Sequence, residues 1–136
     1  MINGVILQKL QTLDEVLAEL RSLGNVSVDR LNDDWQMRRA IERDLQIAVE
    51  IVIDVCQRIL SLAGQTPATT SGDVITRCIQ LGALTDEDAY RKMVQVHNFI
   101  VHRDERVDLA ILADMVNCRL GDFEQFRDEV LAYVQR

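Results

Sequence analysis

Apolar residues return every third or fourth position almost from end to end of this chain, a spacing that suits helices and little else. Ile6, Leu10, Leu13, Leu17 and Leu20 step by four, three, four and three, which places them on one stripe of one helix. Asn3 stands where an N-cap is needed, and Gly24-Asn25 where a helix stops. A second segment carries Leu31, Trp35, Ile41, Leu45, Val49, Val52, Cys56, Ile59 and Leu62, ending at Ala63-Gly64 with Pro67 beyond. Read as one helix, it runs for about 33 residues and about 50 Å. Its middle, IAVEIVIDVC, is apolar nearly all round, so it must bury more than one face. In so small a chain the second face is expected to meet another subunit.

A polar stretch, Gly64 to Gly72, reads as a loop before a short helix from about Asp73 to Leu81, which Gly82 ends. Thr85 followed by Asp86, Glu87 and Asp88 reads as a capping box opening a fourth helix. Its inward stripe is expected to be Tyr90, Met93, Val94, His97 and Val101. The last helix is expected from near Asp108 to the C-terminus, carrying Leu109, Leu112, Val116, Leu120, Phe123, Phe126, Val130 and Val134. One proline and six glycines argue against turn-rich β architectures. The expected fold is all-α: a single domain over 1–136, an up-and-down antiparallel bundle of four long helices and one short.

Lys plus Arg number 15 against 22 Asp plus Glu, a formal charge of −7, which disfavours a general nucleic-acid coat. Cys56, Cys78 and Cys118 form no Cys-x-x-Cys pair and are expected as small buried hydrophobes in a reducing compartment. The start, MINGVILQKLQTL, has no signal-peptide pattern, and no apolar run approaches the ~20 residues of a membrane span. The expectation is a soluble, cytoplasmic protein without membrane contact.

The charge is unevenly spread. Residues 91–106 carry +2 and the remainder −9, and both histidines lie in MVQVHNFIVHRDERVD, Met93 to Asp108. Arg91, Lys92, Arg103 and Arg106 make this island a candidate site for phosphate or an acidic partner. The same cations also suit the C-terminal end of a helix dipole. His102 follows His97 by five residues, about 140° around a straight helix. The two would meet only if the helix ended near Val101, or if a second chain brought another copy. A metal set of His97, His102, Asp104 and Asp108 matches no compact ligand spacing, so neither a metal nor another cofactor is expected. Arg38, Arg39 and Arg43 crowd the second segment, where pairing with Asp33, Asp34, Glu42 and Asp44 is preferred over extending a cationic cleft.

The long second helix, the Gly-Pro loop, "LGALTDEDAYRKMV", "HNFIVHRDERVD" and the closing amphipathic helix together resemble the HepT-like toxins of the HEPN superfamily, over essentially the whole chain. Members carry the motif R-N-x-x-x-H-x-Y. Asn98 matches its Asn and His102 its His, but His97 stands where the family has Arg and Asp104 where it has Tyr. The resemblance implies the toxin of a type VII HEPN/MNT toxin–antitoxin system. Such a toxin is a metal-independent endoribonuclease acting as a homodimer on RNA, with motif copies from both chains lining one cleft. It further implies a cognate minimal nucleotidyltransferase (MNT) antitoxin that transfers AMP onto the motif tyrosine, a residue replaced here by Asp104. In this frame His102 is the general acid/base, supported by His97 and Asn98, and Arg91, Lys92, Arg103 and Arg106 bind substrate. Losing the guanidinium at 97 and adding a carboxylate at 104 implies an attenuated or inactive form. The other reading is a non-catalytic helical module that partners a nucleotidyltransferase.

Overall fold

The computed structural model describes residues 3–102 and 108–135. Seven helices lie among the described residues: α1 (Gly4–Ser22), α2 (Val28–Asp33), α3 (Trp35–Leu62), α4 (Ser71–Gln80), α5 (Glu87–His102), α6 (Leu109–Cys118) and α7 (Leu120–Gln135). The all-α bundle is as expected, but two of the expected helices are each broken in two. Asp34 ends α2, its N–H donating to Arg30 O, and starts α3 by accepting from Met37 N at 3.0 Å. A single carboxylate thus interrupts an apolar period that continues through it. The last helix breaks at Arg119, whose guanidinium lies 3.4 Å from Asp114 and 3.9 Å from Asp122.

Local signals elsewhere act as the residue types require. Asn3 caps α1 by accepting from Val5 and Ile6 N, at 2.9 and 3.2 Å. At the end of α3, Gly64 takes φ +77° and Gln65 N–H donates back to Leu60 O, a turn open to a residue without a β-carbon. The cap of α5 is Asp86, which accepts from Ala89 N, and not Thr85. Thr85 is drawn off to the Glu129 carboxylate on α7, together with the Tyr90 hydroxyl.

The middle helix is α3, packed against α1, α2, α4 and α5, while α6 and α7 close the bundle against α2 and α1. Most of the IAVEIVIDVC segment, expected to reach a second subunit, is buried against the chain's own helices. Val49, Val52, Val55 and Cys56 are fully buried within the one chain, and only Ile47, Ile53 and Asp54 stay half-exposed beside exposed Glu50. Three smaller corrections follow from the packing. The inward stripe of α5 is Tyr90, Met93, Val96 and Ile100; Val94 and His97 are half-buried and Val101 is exposed. Cys118 is exposed at the end of α6, unlike buried Cys56 and Cys78. Trp35 is 62% exposed, because α3 starts there before reaching the core.

Candidate functional site

Side chains four apart on a helix point the same way. Asn98 and His102 are so related, and α5 stays helical through His102, so both face one side. That side opposes α4. The two helices leave a cleft of about 430 Å³ between them, lined by Gly72 and Ile75 of α4 and by Arg91, Val94, Gln95, Asn98, Phe99 and His102 of α5. Arg91 is aimed by its neighbours: Nε donates to Glu87 at 2.7 Å, and Nη2 to the Thr76 hydroxyl of α4 at 3.3 Å. The start of α4 is itself tied down. Thr70 caps it through Asp73 N, and the Gln57 carboxamide of α3 both donates to Ala68 O and accepts from Ala68 N, at 3.0 and 3.2 Å.

Of the expected site residues, Arg91, Asn98 and His102 come together in this cleft. His97 turns the other way, toward α3: its ring is 15% exposed and Nε2 lies 3.5 Å from a Glu50 carboxylate oxygen, without forming a hydrogen bond. The two histidines therefore do not converge within the chain. Lys92 lines a different groove, between α5 and α6, and pairs with Asp88 at 3.4 Å. Arg103, Asp104 and Arg106 lie outside the described residues. Among the described residues no group of three or more His, Cys, Asp and Glu side chains is placed to hold a metal ion.

Gln95, Phe99, Gly72 and Ile75 belong to the cleft and were not singled out from the sequence. The α5 pair had a signal: counting back from Asn98 and His102 in helical steps reaches Gln95 and Arg91. Gly72 and Ile75 had none, since only packing brings α4 alongside. Arg39 and Arg43 line a separate groove of about 310 Å³ with Gln46, Ile100 and Val101, where Arg39 lies 4.0 Å from Glu42. No helix among the described residues is long and apolar enough to cross a membrane.

The fold and cleft define a helical bundle of the HEPN type, with an Asn-x-x-x-His pair presented from one helix. The family model described as Ribonuclease HepT-like matches residues 13–130, and the chain belongs to that family. It is 27% identical over 134 residues to the mRNA nuclease HepT of Shewanella oneidensis strain MR-1, covering 96% of this chain and 99% of that protein. A solved structure of a tri-AMPylated Shewanella oneidensis HEPN toxin in complex with MNT antitoxin is similar with TM-score 0.87 at 26% identity, covering 96% of this chain and 99% of that one. A toxin–antitoxin structure with AMP-PNP is similar with TM-score 0.85 at 25% identity, covering 95% and 99%.

Proposed function

We propose that this chain is the toxin of a HEPN/MNT toxin–antitoxin system: a metal-independent endoribonuclease, working as a homodimer in the cytoplasm, in attenuated form. The observation that carries the reading is the placement of Asn98, His102 and Arg91 around one cleft. RNA supplies its own nucleophile. Its 2′-hydroxyl attacks the adjoining phosphorus as the 5′-oxygen leaves, giving a 2′,3′-cyclic phosphate and a free 5′-hydroxyl. His102 takes or returns the proton as a general acid–base, one ring nitrogen accepting while the other can donate. The complementary proton transfer falls to the motif of a second chain. The Asn98 amide positions the phosphate, and Arg91 offsets part of the charge added in the transition state.

The attenuation has a physical cause. An imidazole at 97 lacks the permanent charge and two-pronged geometry of a guanidinium, and this one is directed at Glu50 instead of the cleft. Loss of one such clamp costs on the order of 10²–10³ in rate. Asp104 replaces the phenol that an antitoxin of the family would modify. The relatives solved with MNT antitoxin support a nucleotidyltransferase as partner.

The test is cleavage of total RNA by the purified chain with a chelator present. We expect slow cleavage that His102→Ala abolishes and that the combined His97→Arg and Asp104→Tyr reversion speeds by about 10²-fold or more. If the double revertant binds RNA yet cuts none, the chain is a non-catalytic binding module instead.

A further inference from the structure

One wall of the cleft is of a kind that the acid–base chemistry of His102 does not use. The chain has three phenylalanines; Phe123 and Phe126 are fully buried in the core, whereas Phe99 is half-buried and lines the cleft. Ile75 and Val94 line the same space. In a chain that is only 4% aromatic, a ring held outside the core and against an open cleft marks a flat apolar contact surface. Gln95 and Asn98 add two carboxamides three residues apart, both exposed and neither hydrogen-bonded to any described residue. The volume, about 430 Å³, lies within the range of small-molecule sites.

We propose that this cleft is a base-selective nucleotide pocket. In it Phe99 stacks on one base of a single-stranded RNA, Gln95 reads the Hoogsteen edge of that base, Asn98 and Arg91 hold the adjoining phosphate, and adenine is preferred. The proposal rests on the ribonuclease reading for its ligand class, but not on cleavage taking place. Unpaired RNA bases are recognised by stacking on aromatic rings and by hydrogen bonds to their edges. On the Hoogsteen edge, which the Gln95 carboxamide is proposed to face, a donor and an acceptor side by side match the N7 acceptor and N6 donor of adenine, a pair that neither cytosine nor uracil presents there. Guanine presents two acceptors, O6 and N7, and calls for a two-pronged guanidinium. Arg91 cannot serve that way, since Nε and Nη2 are engaged with Glu87 and Thr76; Nη1 is left for a single phosphate contact.

The experiment is calorimetric titration of the full chain with adenosine, guanosine, cytidine and uridine 3′-monophosphates. The adenosine nucleotide is expected to bind about tenfold more tightly than the others. Phe99→Leu, which keeps an apolar side chain but removes the flat face, should weaken all four by about tenfold at unchanged helix content. Gln95→Ala should remove the adenine preference and leave cytidine monophosphate binding within about twofold. Equal binding of all four nucleotides, or a Phe99→Leu chain that binds as tightly as the parent, overturns the pocket. RNA cleavage assayed in parallel separates the two ideas. Selective binding without cutting by the parent or the double revertant sinks the ribonuclease reading and keeps the pocket, and cutting without base selectivity does the reverse.

Discussion

Asp44 on α3 and Glu19 on α1 set two carboxyls within hydrogen-bonding reach across the helix pair. Partial burial, then the hydrogen bond and charge of Glu19, push the Asp44 carboxyl up from 3.8 to about 6. A raised folded-state value means the native state holds this proton more tightly than the unfolded chain. The stabilisation is therefore complete below about pH 4 and is lost as pH climbs through about 6. Asp44→Asn keeps a hydrogen-bonding group without the repulsion. We expect it to stabilise the protein by about 1 kcal/mol at pH 8, after allowing for solvent screening, and not at pH 4. Thermal melts at both pH values check this, and an equal gain at each would count against the pairing. A second residue-scale case is Tyr90, fully buried, with its ring edge-on to Phe126 at 5.9 Å and its hydroxyl donating to Glu129. Burial and that carboxylate push its phenol up, so it stays a neutral donor. Tyr90→Phe should cost about 1 kcal/mol in urea unfolding, since half-buried Glu129 regains water. The Tyr90 stripe position was legible in the sequence; its partner, 39 residues away, was not.

At the scale of elements, two carboxamides act as clasps. Gln57 closes a pair of bonds with Ala68 ahead of α4, and Asn117 does the same for Val26 ahead of α2, both bonds at 2.8 Å. Gln57→Ala strands the N–H and C=O of Ala68, which is 9% exposed, and should destabilise by about 1–3 kcal/mol. Because that loop leads straight into α4, the same substitution should loosen the cleft wall at Gly72. Faster amide exchange at residues 71–76 than in α1 would be the sign, and unchanged exchange there would contradict it. The helix breaks show what pattern reading captures at this scale. The apolar period passes through Asp34 and Arg119 uninterrupted, so periodicity alone joins the helices. The breaks are set by short-range side-chain contacts, Asp34 accepting from the Met37 N–H and Arg119 lying between Asp114 and Asp122, which an apolar period does not register. Gly24, Gly64 and Gly82, by contrast, mark helix ends openly, each at positive φ.

For the molecule as a whole, α3 is the shared wall of the bundle, and its central residues measure how much of the fold one chain completes. Val52→Asp places an unpaired charge at a fully buried position and should cost more than about 4 kcal/mol, a large part of the stability of such a domain. We expect no cooperative melt. Val101→Asp, at a position 45% exposed, should melt within about 0.5 kcal/mol of the parent. Circular dichroism melts of the two together test the burial pattern, and comparable losses in both would refute it. The net charge of −7 likewise acquires a geography. Two cations of the basic island, Arg91 and Lys92, point into different grooves, each paired with an acid one turn back. The sequence by itself determined the helices, most of their ends, and the alignment of Asn98 with His102, because helical period and capping are local properties of a few neighbouring residues. Only the tertiary structure decided that α4 forms the opposite wall, that His97 turns to Glu50, and that the chain covers its own apolar α3. Those outcomes depend on which helix packs on which face, and that is fixed by burying all the apolar stripes at once.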